Sequence, residues 1–200
     1  MLDQLLDRLN GSDDGKCEAA AVALGEMGEA ALPHVTLVLA NGSADTRFWA
    51  VRALWAMGTP AAIEVLISAL NDPDEMVRSG AALALGELRA EVAIEKLAWL
   101  MREEAGSTGI HAADALSKIG KPGAGVLIDA LGAARPWVRM RAARALVPIK
   151  SPDAIPALFQ ALDDDSYIVR HYAEEALSRM GPPGSVYLLS PILAVGNGQG

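Results

Sequence analysis

An internal repeat with a period of 30 or 31 residues constrains this chain more than any other feature. A motif read from Val77 to Leu88 recurs at Val138 and at Val169, and weaker copies occupy the other repeats. Aligning the Ala-Leu pairs defines an arginine column, which holds Cys17, Arg47, Arg78, Gly109, Arg139 and Arg170. An independent apolar column keeps the same period at Leu5, Val35, Leu66, Leu97, Leu127, Leu158 and Leu189. Two columns with one period indicate tandem units that stack to bury a continuous core.

Each repeat contains two helical patterns. Apolar residues at three- and four-residue steps, as from Ile63 to Leu70, predict an amphipathic first helix, and an Ala-Ala-x-Ala-Leu run marks a second helix that packs closely. Proline at helix starts and glycine after helix ends agree with these boundaries. The predicted pairs are 2–10 with 16–27, 30–40 with 45–57, 60–70 with 74–89, 91–104 with 108–119, 122–132 with 136–149 and 152–162 with 166–180. A lone helix near 185–195 completes the prediction.

The pattern Asp-x-Asp-x-x-Val-Arg-x-x-Ala-Ala-x-Ala-Leu-Gly, clearest from Asp72 to Gly86, resembles the short HEAT-like repeat named after phycobilisome lyases. The fold class expected from the helix pairs and this resemblance is an all-α, right-handed α-solenoid of about six HEAT-like helix pairs plus a terminal helix. We expect one repeat domain over 1–195 and a flexible tail over 196–200. The resemblance implies little about function, because the same repeat serves bilin lyases, assembly factors and protein-binding scaffolds.

Charge and cysteine content exclude several classes of protein. The net charge of −8 argues against general binding to nucleic acid, which demands clustered Lys and Arg. The single cysteine, Cys17, excludes an intramolecular disulfide scaffold. The first residues lack the pattern of a signal peptide, and the uncharged apolar stretch from Ala30 to Asn41 is shorter than the about 20 residues that cross a bilayer. We therefore expect a cytoplasmic protein with no membrane association.

The arginine column is predicted to be structural. Arg78 follows Asp72 and Asp74, and Arg170 follows Asp164 and Asp165, so carboxylates and backbone groups of these acidic loops can hold each guanidinium. We interpret the column as a ladder between repeats rather than as a binding site for anions.

The second helices carry large side chains where a solvated helix would carry Lys, Glu or Gln. The resemblance implies that the second helix of each repeat lines the concave face of the solenoid. Enrichment in aromatic residues, Met and Arg is typical of protein-binding surfaces. The candidate contact residues are Phe48, Trp49, Arg52, Ile110, His111, Trp137, Met140, Arg141, Arg144 and Tyr172. Trp49, Trp137, Arg141 and Tyr172 are the predicted anchors. Packing of Phe48 or Trp49 against a neighbouring loop remains an alternative.

No residues combine into a recognisable catalytic or metal site. The histidines His34, His111 and His171 fall in three different repeats without a close second ligand. The acidic neighbours of Cys17 are expected to disfavour the thiolate that a nucleophile requires. We therefore predict no metal, no cofactor and no catalysis.

The leading hypothesis is a scaffold or adaptor that recognises a protein or peptide on the concave face. The resemblance keeps a second hypothesis open, a phycobilin lyase subunit or chromophore chaperone. A third follows HEAT-like DNA glycosylases, which also use Trp and Arg on a concave face, although the acidic charge opposes it. The partner and the oligomeric state are left open by the sequence.

Overall fold

The computed structural model describes residues 1–181, and its secondary structure in that range is entirely helical. Twelve α-helices form the six predicted pairs, and the fold is an α-solenoid. The helices are α1 Leu2–Arg8, α2 Asp14–Glu26, α3 Leu32–Asn41, α4 Ala44–Met57, α5 Pro60–Ala69, α6 Glu75–Glu87, α7 Ile94–Glu103, α8 Ser107–Ile119, α9 Lys121–Ala130, α10 Pro136–Leu146, α11 Ile155–Gln160 and α12 Tyr167–Arg179. The predicted terminal helix near 185–195 and the predicted tail over 196–200 lie outside the described residues.

The chain divides into two compact units, Met1–Lys118 (unit 1) and Ile119–Gly200 (unit 2). Unit 1 contains four helix pairs, from α1 to α8, and the described part of unit 2 contains the two pairs from α9 to α12. The single domain over 1–195 stays a prediction.

Unit 1 is built in two layers of helices. The second helices form one layer, in which α4 packs between α2 and α6, and the first helices form the other, in which α3 contacts α1 and α5. The apolar column is buried between the layers, since Val35, Leu66 and Leu97 are fully inaccessible to solvent. Each such side chain contributes about 2 kcal/mol by leaving water, so this column supplies the core that the repeat period predicts.

Unit 2 repeats this arrangement on a smaller scale. α10 packs against both α9 and α12, and α11 packs against α12. Leu127 and Leu158 of the apolar column are fully buried, as are Leu146 and Leu177 of the Ala-Leu pairs. The apolar column and the leucines of the Ala-Leu pairs therefore form the core of both units.

The arginine column forms the predicted structural ladder, with its side-chain acceptors in the next repeat. In unit 1, Arg47 donates two hydrogen bonds to Asp72 at 2.8 and 2.7 Å, and in unit 2, Arg139 donates two to Asp164 at 2.6 and 3.0 Å. The bonds from Arg139 hold the pKa of Asp164 below its ordinary value, against the opposing effect of burial. Burial is the largest influence on Asp72 and raises its pKa, but hydrogen bonds from Arg47 and the Asp74 amide bring the net pKa below the ordinary value.

The four arginines of the column also hold the loop that precedes their own second helix. Nη1 of Arg47 donates to the carbonyl oxygen of Gly42 at 3.0 Å. Cys17 occupies the same column in the first repeat, and its buried thiol lies 3.2 Å from the carbonyl oxygen of Arg8 and 3.4 Å from that of Gly11. A thiol therefore replaces the guanidinium as the donor to this loop, which accounts for Cys17 as a structural residue.

A residue with positive φ closes the second helix of each repeat. These residues are Gly28, Gly58, Arg89, Gly120, Lys150 and Gly181, with φ between +49° and +86°. Their spacing of 30 or 31 residues equals the period of the arginine column. The glycines at these stops were predicted from the sequence. At Arg89 and Lys150 a residue with a side chain adopts the left-handed region, which costs about 1 kcal/mol.

Prolines shift two of the predicted boundaries in unit 2. α10 ends at Leu146 rather than at residue 149, because Pro148 has no N–H with which to continue the helix. The first helix of the last pair begins with a 3-10 turn at Pro152, and only Ile155–Gln160 is α-helical. Pro156 lacks the N–H that an α-helix would direct to the carbonyl of Pro152, so the first turn cannot be α-helical.

Candidate functional site

Three second helices of unit 1, α2, α4 and α6, begin around a cavity of about 520 Å3. Its lining includes two aromatic rings, a methionine and three carboxylates: Asp14, Asp45, Phe48, Trp49, Asp74 and Met76. We call this cavity the aromatic pocket. Its size and its mixture of apolar walls with a few polar groups are typical of ligand-binding pockets.

The start of α4 is fixed from two sides, which positions the aromatic residues. Ser43 caps the helix, because its hydroxyl accepts a hydrogen bond from the Thr46 amide at 3.2 Å. The Thr46 hydroxyl donates to the side-chain oxygen of Asn10 at 2.9 Å, which ties α4 to the loop that follows α1. Phe48 and Trp49 therefore lie in the first turns of a helix whose start is anchored.

The two aromatic rings meet edge to face. The ring centroids of Phe48 and Trp49 are 5.3 Å apart and the ring planes are inclined by 74°. Phe48 also packs against α6 where Gly80 has no side chain, since a Cβ on Gly80 would lie 3.3 Å from Cε2 of Phe48. Both rings are half-buried, so their edges are held while part of each faces the aromatic pocket.

The carboxylates of the aromatic pocket lie at helix N-termini. Asp14 and Asp45 are exposed and belong to the first turns of α2 and α4. Asp74 caps α6, because its Oδ1 accepts from the amides of Met76 at 2.9 Å and Val77 at 3.3 Å. The positive ends of the helix dipoles favour negative charge at these positions. The fold therefore stabilises an acidic rim around an aromatic pocket.

Arg52 is engaged within unit 1. Its Nε donates to Oε2 of Glu18 at 3.1 Å, its Nη2 is bonded to the other carboxylate oxygen, and its guanidinium lies 4.3 Å from the ring centroid of Trp55. The hydrogen bond from Arg52 lowers the pKa of Glu18, against a smaller opposing effect of burial. Arg52 thus bridges α2 and α4 and does not line the aromatic pocket.

The two candidates on α8 differ in exposure. Ile110 is 36% exposed, and His111 is half-buried. Neither lines the aromatic pocket, so in unit 1 the structure brings together Phe48 and Trp49 of the five candidates.

Unit 2 carries aromatic residues beside guanidinium groups on its second helices. Trp137 is half-buried, with the guanidinium of Arg135 5.4 Å from its ring centroid and that of Arg141 4.5 Å away. Met140 and Arg144 on the same helix are half-buried. The surface of α10 therefore combines aromatic and cationic groups.

Arg141, one of the predicted anchors, is instead buried. Only 2% of the residue is exposed, and its guanidinium packs against the ring of Trp137. Burial lowers the pKa of Arg141 below its ordinary value, and the charge of Arg144 lowers it further. An arginine remains protonated at neutral pH, so Arg141 contributes a buried positive charge to unit 2 rather than an accessible side chain.

α12 presents a row of rings. Tyr172 is half-buried, and its ring centroid lies 5.5 Å from that of His171. The His171 ring in turn stacks on Tyr167 at 6.3 Å, and Tyr167 is 71% exposed. Sequence reasoning selected Tyr172 but not Tyr167, the more exposed of the two tyrosines.

Four of the six residues named for the aromatic pocket, Asp14, Asp45, Asp74 and Met76, were absent from the predicted site. Asp45 and Met76 lie two residues before the arginine column, in the same column as Trp137, and Met76 is 65% exposed. The position they share with Trp137 is the sequence signal that points to them. Asp14 and Asp74 lie outside it, and an acidic residue at a helix start gives no signal beyond capping.

Within residues 1–181, no three His, Cys, Asp or Glu residues form a group that could hold a metal ion. None of the helices in this range combines the length and the apolar character needed to cross a membrane.

Comparison with protein families gives one match, described as HEAT repeats, over residues 32–117 and 124–199. Among curated proteins, none matches the chain.

Several solved structures are similar to the chain. A HEAT-like repeats protein from the archaeon Thermococcus onnurineus NA1 has a TM-score of 0.62 at 16% identity, covering 100% of this chain and 91% of that protein. The complex of CpcE and CpcF of phycocyanin lyase from Nostoc sp. PCC7120 gives a TM-score of 0.54 at 24% identity, with 90% and 77% covered. A designed armadillo repeat protein in complex with the peptide (KR)4 gives 0.52 at 19% identity, with 90% and 99% covered. At these identities the similarity concerns the fold alone.

Proposed function

The chain belongs to the HEAT-repeat family, and from this premise we propose that it is a non-catalytic scaffold that holds a partner protein or peptide on its second helices. Stacked helical repeats present long rows of side chains that the core does not need, and such rows serve as binding surfaces. In this chain the aromatic pocket of unit 1 is the contact site.

One observation carries the proposal: large apolar side chains line an open cavity and are only partly buried by the repeats. Phe48 and Trp49 are half-buried around the aromatic pocket, and Met76 is 65% exposed beside them. Aromatic and methionine side chains in a partly desolvated pocket are typical of the residues that dominate protein interfaces.

Two of the similar structures contain a second polypeptide bound to a helical-repeat chain. One is the complex of CpcE and CpcF, and the other is a designed armadillo protein with its peptide. They support the general use of this architecture to bind polypeptides.

The test compares two tryptophan variants. Trp49 lines the aromatic pocket, whereas Trp99, which is 51% exposed on α7, lies outside it. The wild-type chain, Trp49→Ala and Trp99→Ala are immobilised in turn, and captured proteins from the native cell extract are quantified by mass spectrometry. We expect Trp49→Ala to lose a specific partner that Trp99→Ala retains, with the same helical circular dichroism in all three.

Equal capture by all three chains would contradict the proposal. A shifted visible absorption band on mixing the wild-type chain with a free bilin would favour chromophore handling, as in a lyase subunit, over the scaffold. Binding to duplex DNA in a gel shift at physiological salt would favour the glycosylase-like alternative.

A further inference from the structure

We propose that the aromatic pocket binds a lysine or arginine side chain, supplied by a basic segment of the partner protein. This inference rests on the proposed function, in that it names the chemistry of what the scaffold recognises. It follows from the tryptophans, from the carboxylates around the aromatic pocket and from the charge of unit 1.

Three of the four tryptophans already hold a cation from this chain over their rings. Arg52 lies 4.3 Å from the ring centroid of Trp55, Lys96 lies 4.5 Å from that of Trp99, and Arg141 lies 4.5 Å from that of Trp137. Within residues 1–181, Trp49 has no such cation. A tryptophan face attracts ammonium and guanidinium groups, so the Trp49 ring, over which no cation of the described residues lies, is suited to receive one from a partner.

The polar groups that surround Trp49 have the matching charge. Asp14 and Asp45 are exposed carboxylates that line the aromatic pocket, and the third, Asp74, already accepts two backbone amides. Two exposed carboxylates therefore remain for a ligand. Ion pairs at exposed sites are weak by themselves, so we assign the main attraction to the aromatic rings and the selection of charge to the carboxylates.

The apolar wall of the aromatic pocket suits the long stem of a basic side chain. Met76 is 65% exposed, and the Phe48 ring stands nearly perpendicular to the Trp49 ring. Lys and Arg cover apolar surface with their methylene groups while the charged end stays near polar groups. A negatively charged side chain would lack a partner here and would be repelled by Asp14 and Asp45.

The charge of the whole unit agrees with this assignment. Residues 1–118 contain 18 Asp and Glu against nine Lys and Arg, a net charge of −9. Such a field accelerates the approach of a basic partner and weakens as salt screens it.

The experiment measures the binding of two fluorescein-labelled peptides to the full chain by anisotropy at low and at physiological ionic strength. The basic peptide is Gly-Ser-Lys-Arg-Lys-Arg-Gly-Ser-amide with fluorescein on its N-terminal amine, and the acidic control, labelled in the same way, has Glu and Asp in place of Lys and Arg. We expect the chain to bind the basic peptide and not the acidic one. Trp49→Ala should weaken binding about tenfold, whereas Trp49→Phe and Trp99→Ala should retain most of it.

A matched pair of charge variants separates the aromatic pocket from the general field. Asp14→Asn with Asp45→Asn removes two charges from the aromatic pocket, and Glu64→Gln with Glu91→Gln removes two exposed charges of unit 1 outside it. The first pair should weaken binding several-fold more than the second and reduce its salt dependence. An equal effect of both pairs would overturn the inference, because binding would then follow net charge alone.

Failure of the inference is distinguishable from failure of the scaffold function. If Trp49→Ala loses a captured partner while the wild-type chain ignores the basic peptide, the scaffold stands and the basic ligand is wrong. If sedimentation shows a self-association of the wild-type chain that Trp49→Ala abolishes, the occupant is a second copy of this chain, which also overturns the inference. Binding of the basic peptide through Trp49 and Asp45 supports it.

Discussion

The same kind of ion pair between repeats stabilises unit 1 and unit 2, and the two units differ in the surface residues of their second helices. Both use a bidentate Arg–Asp pair between repeats, Arg47 with Asp72 and Arg139 with Asp164. The second helices differ: α4 in unit 1 lines an aromatic pocket with an acidic rim, whereas α10 in unit 2 surrounds Trp137 with guanidinium groups.

Net charge shows the same contrast. Unit 1 carries −9, whereas residues 119–200 contain seven Asp and Glu against eight Lys and Arg, a net charge of +1. The apolar column keeps its residue type in both units, so the difference in charge lies in the other columns, including the arginine column, where unit 1 has Cys17 and Gly109.

Removing an arginine of the ladder should cause the largest loss of stability, and comparing one such variant in each unit tests whether the ladder stabilises both units equally. Arg47→Met and Arg139→Met should each lower the free energy of unfolding by about 3 kcal/mol, because each leaves a mostly buried carboxylate without its cation. Urea unfolding followed by circular dichroism measures both values. Arg179→Met is the control, since Arg179 is exposed, its partner Glu175 is only half-buried, and the pair should contribute under about 1 kcal/mol. A much smaller loss for one of the two ladder variants would mean that the units are not held in the same way.

Close helix contacts give the next largest effect and test a difference between the units. In unit 1, a Cβ on Gly86 would lie 2.6 Å from the Cα of Ala115, so Gly86→Ala should force α6 and α8 apart and cost about 2 kcal/mol. In unit 2, Gly125 on α9 has open space around its Cα, and Gly125→Ala should raise stability by about 0.5–1 kcal/mol through helix propensity. Thermal and urea unfolding should therefore shift in opposite directions. A change of stability in the same direction for both variants would contradict the contrast between a closely packed Gly86 and an exposed Gly125.

The smallest expected effect concerns the residues that close the repeats. Arg89 in unit 1 and Lys150 in unit 2 adopt φ of +49° and +53° where the other four repeats have glycine. Arg89→Gly and Lys150→Gly should each raise the free energy of unfolding by about 0.5–1 kcal/mol, because glycine relieves the strain of the left-handed region. Differential scanning calorimetry of the two variants can resolve such changes. Destabilisation of either variant would show that its side chain makes a contact worth more than the strain.

Features that recur along the chain were predictable from the sequence. The apolar column, the ladder and the glycine stops each occur in several repeats, so their alignment averages out the exceptions. Val35 and Leu66 are buried as the period requires, and Gly58 has the positive φ expected of a helix stop. Repetition supplies in one chain the redundancy that makes such predictions secure.

Features that occur once were harder to predict. The repeat period predicted on which face of α10 Arg141 lies, but it did not predict the direction of the side chain. The long side chain of Arg141 packs against Trp137 of the same helix. Arg52 was expected to be open to a partner, and its contact with Glu18 joins residues 34 positions apart in the chain. The aromatic pocket combines Asp14 with Trp49 across two repeats, which no single-helix pattern reveals.

The positive-φ residues also bear on how such a chain can change in length. Gly58 and Arg89 close successive repeats, with φ of +61° and +49°. The residue before segment 59–89 and the last residue of that segment therefore both have positive φ. In a tandem copy of the segment, Arg89 would precede Thr59 with a φ close to that of Gly58, which precedes Thr59 in the present chain. One in-frame duplication or deletion of the corresponding gene segment would thus lengthen or shorten the array by a complete helix pair, without a new junction having to evolve.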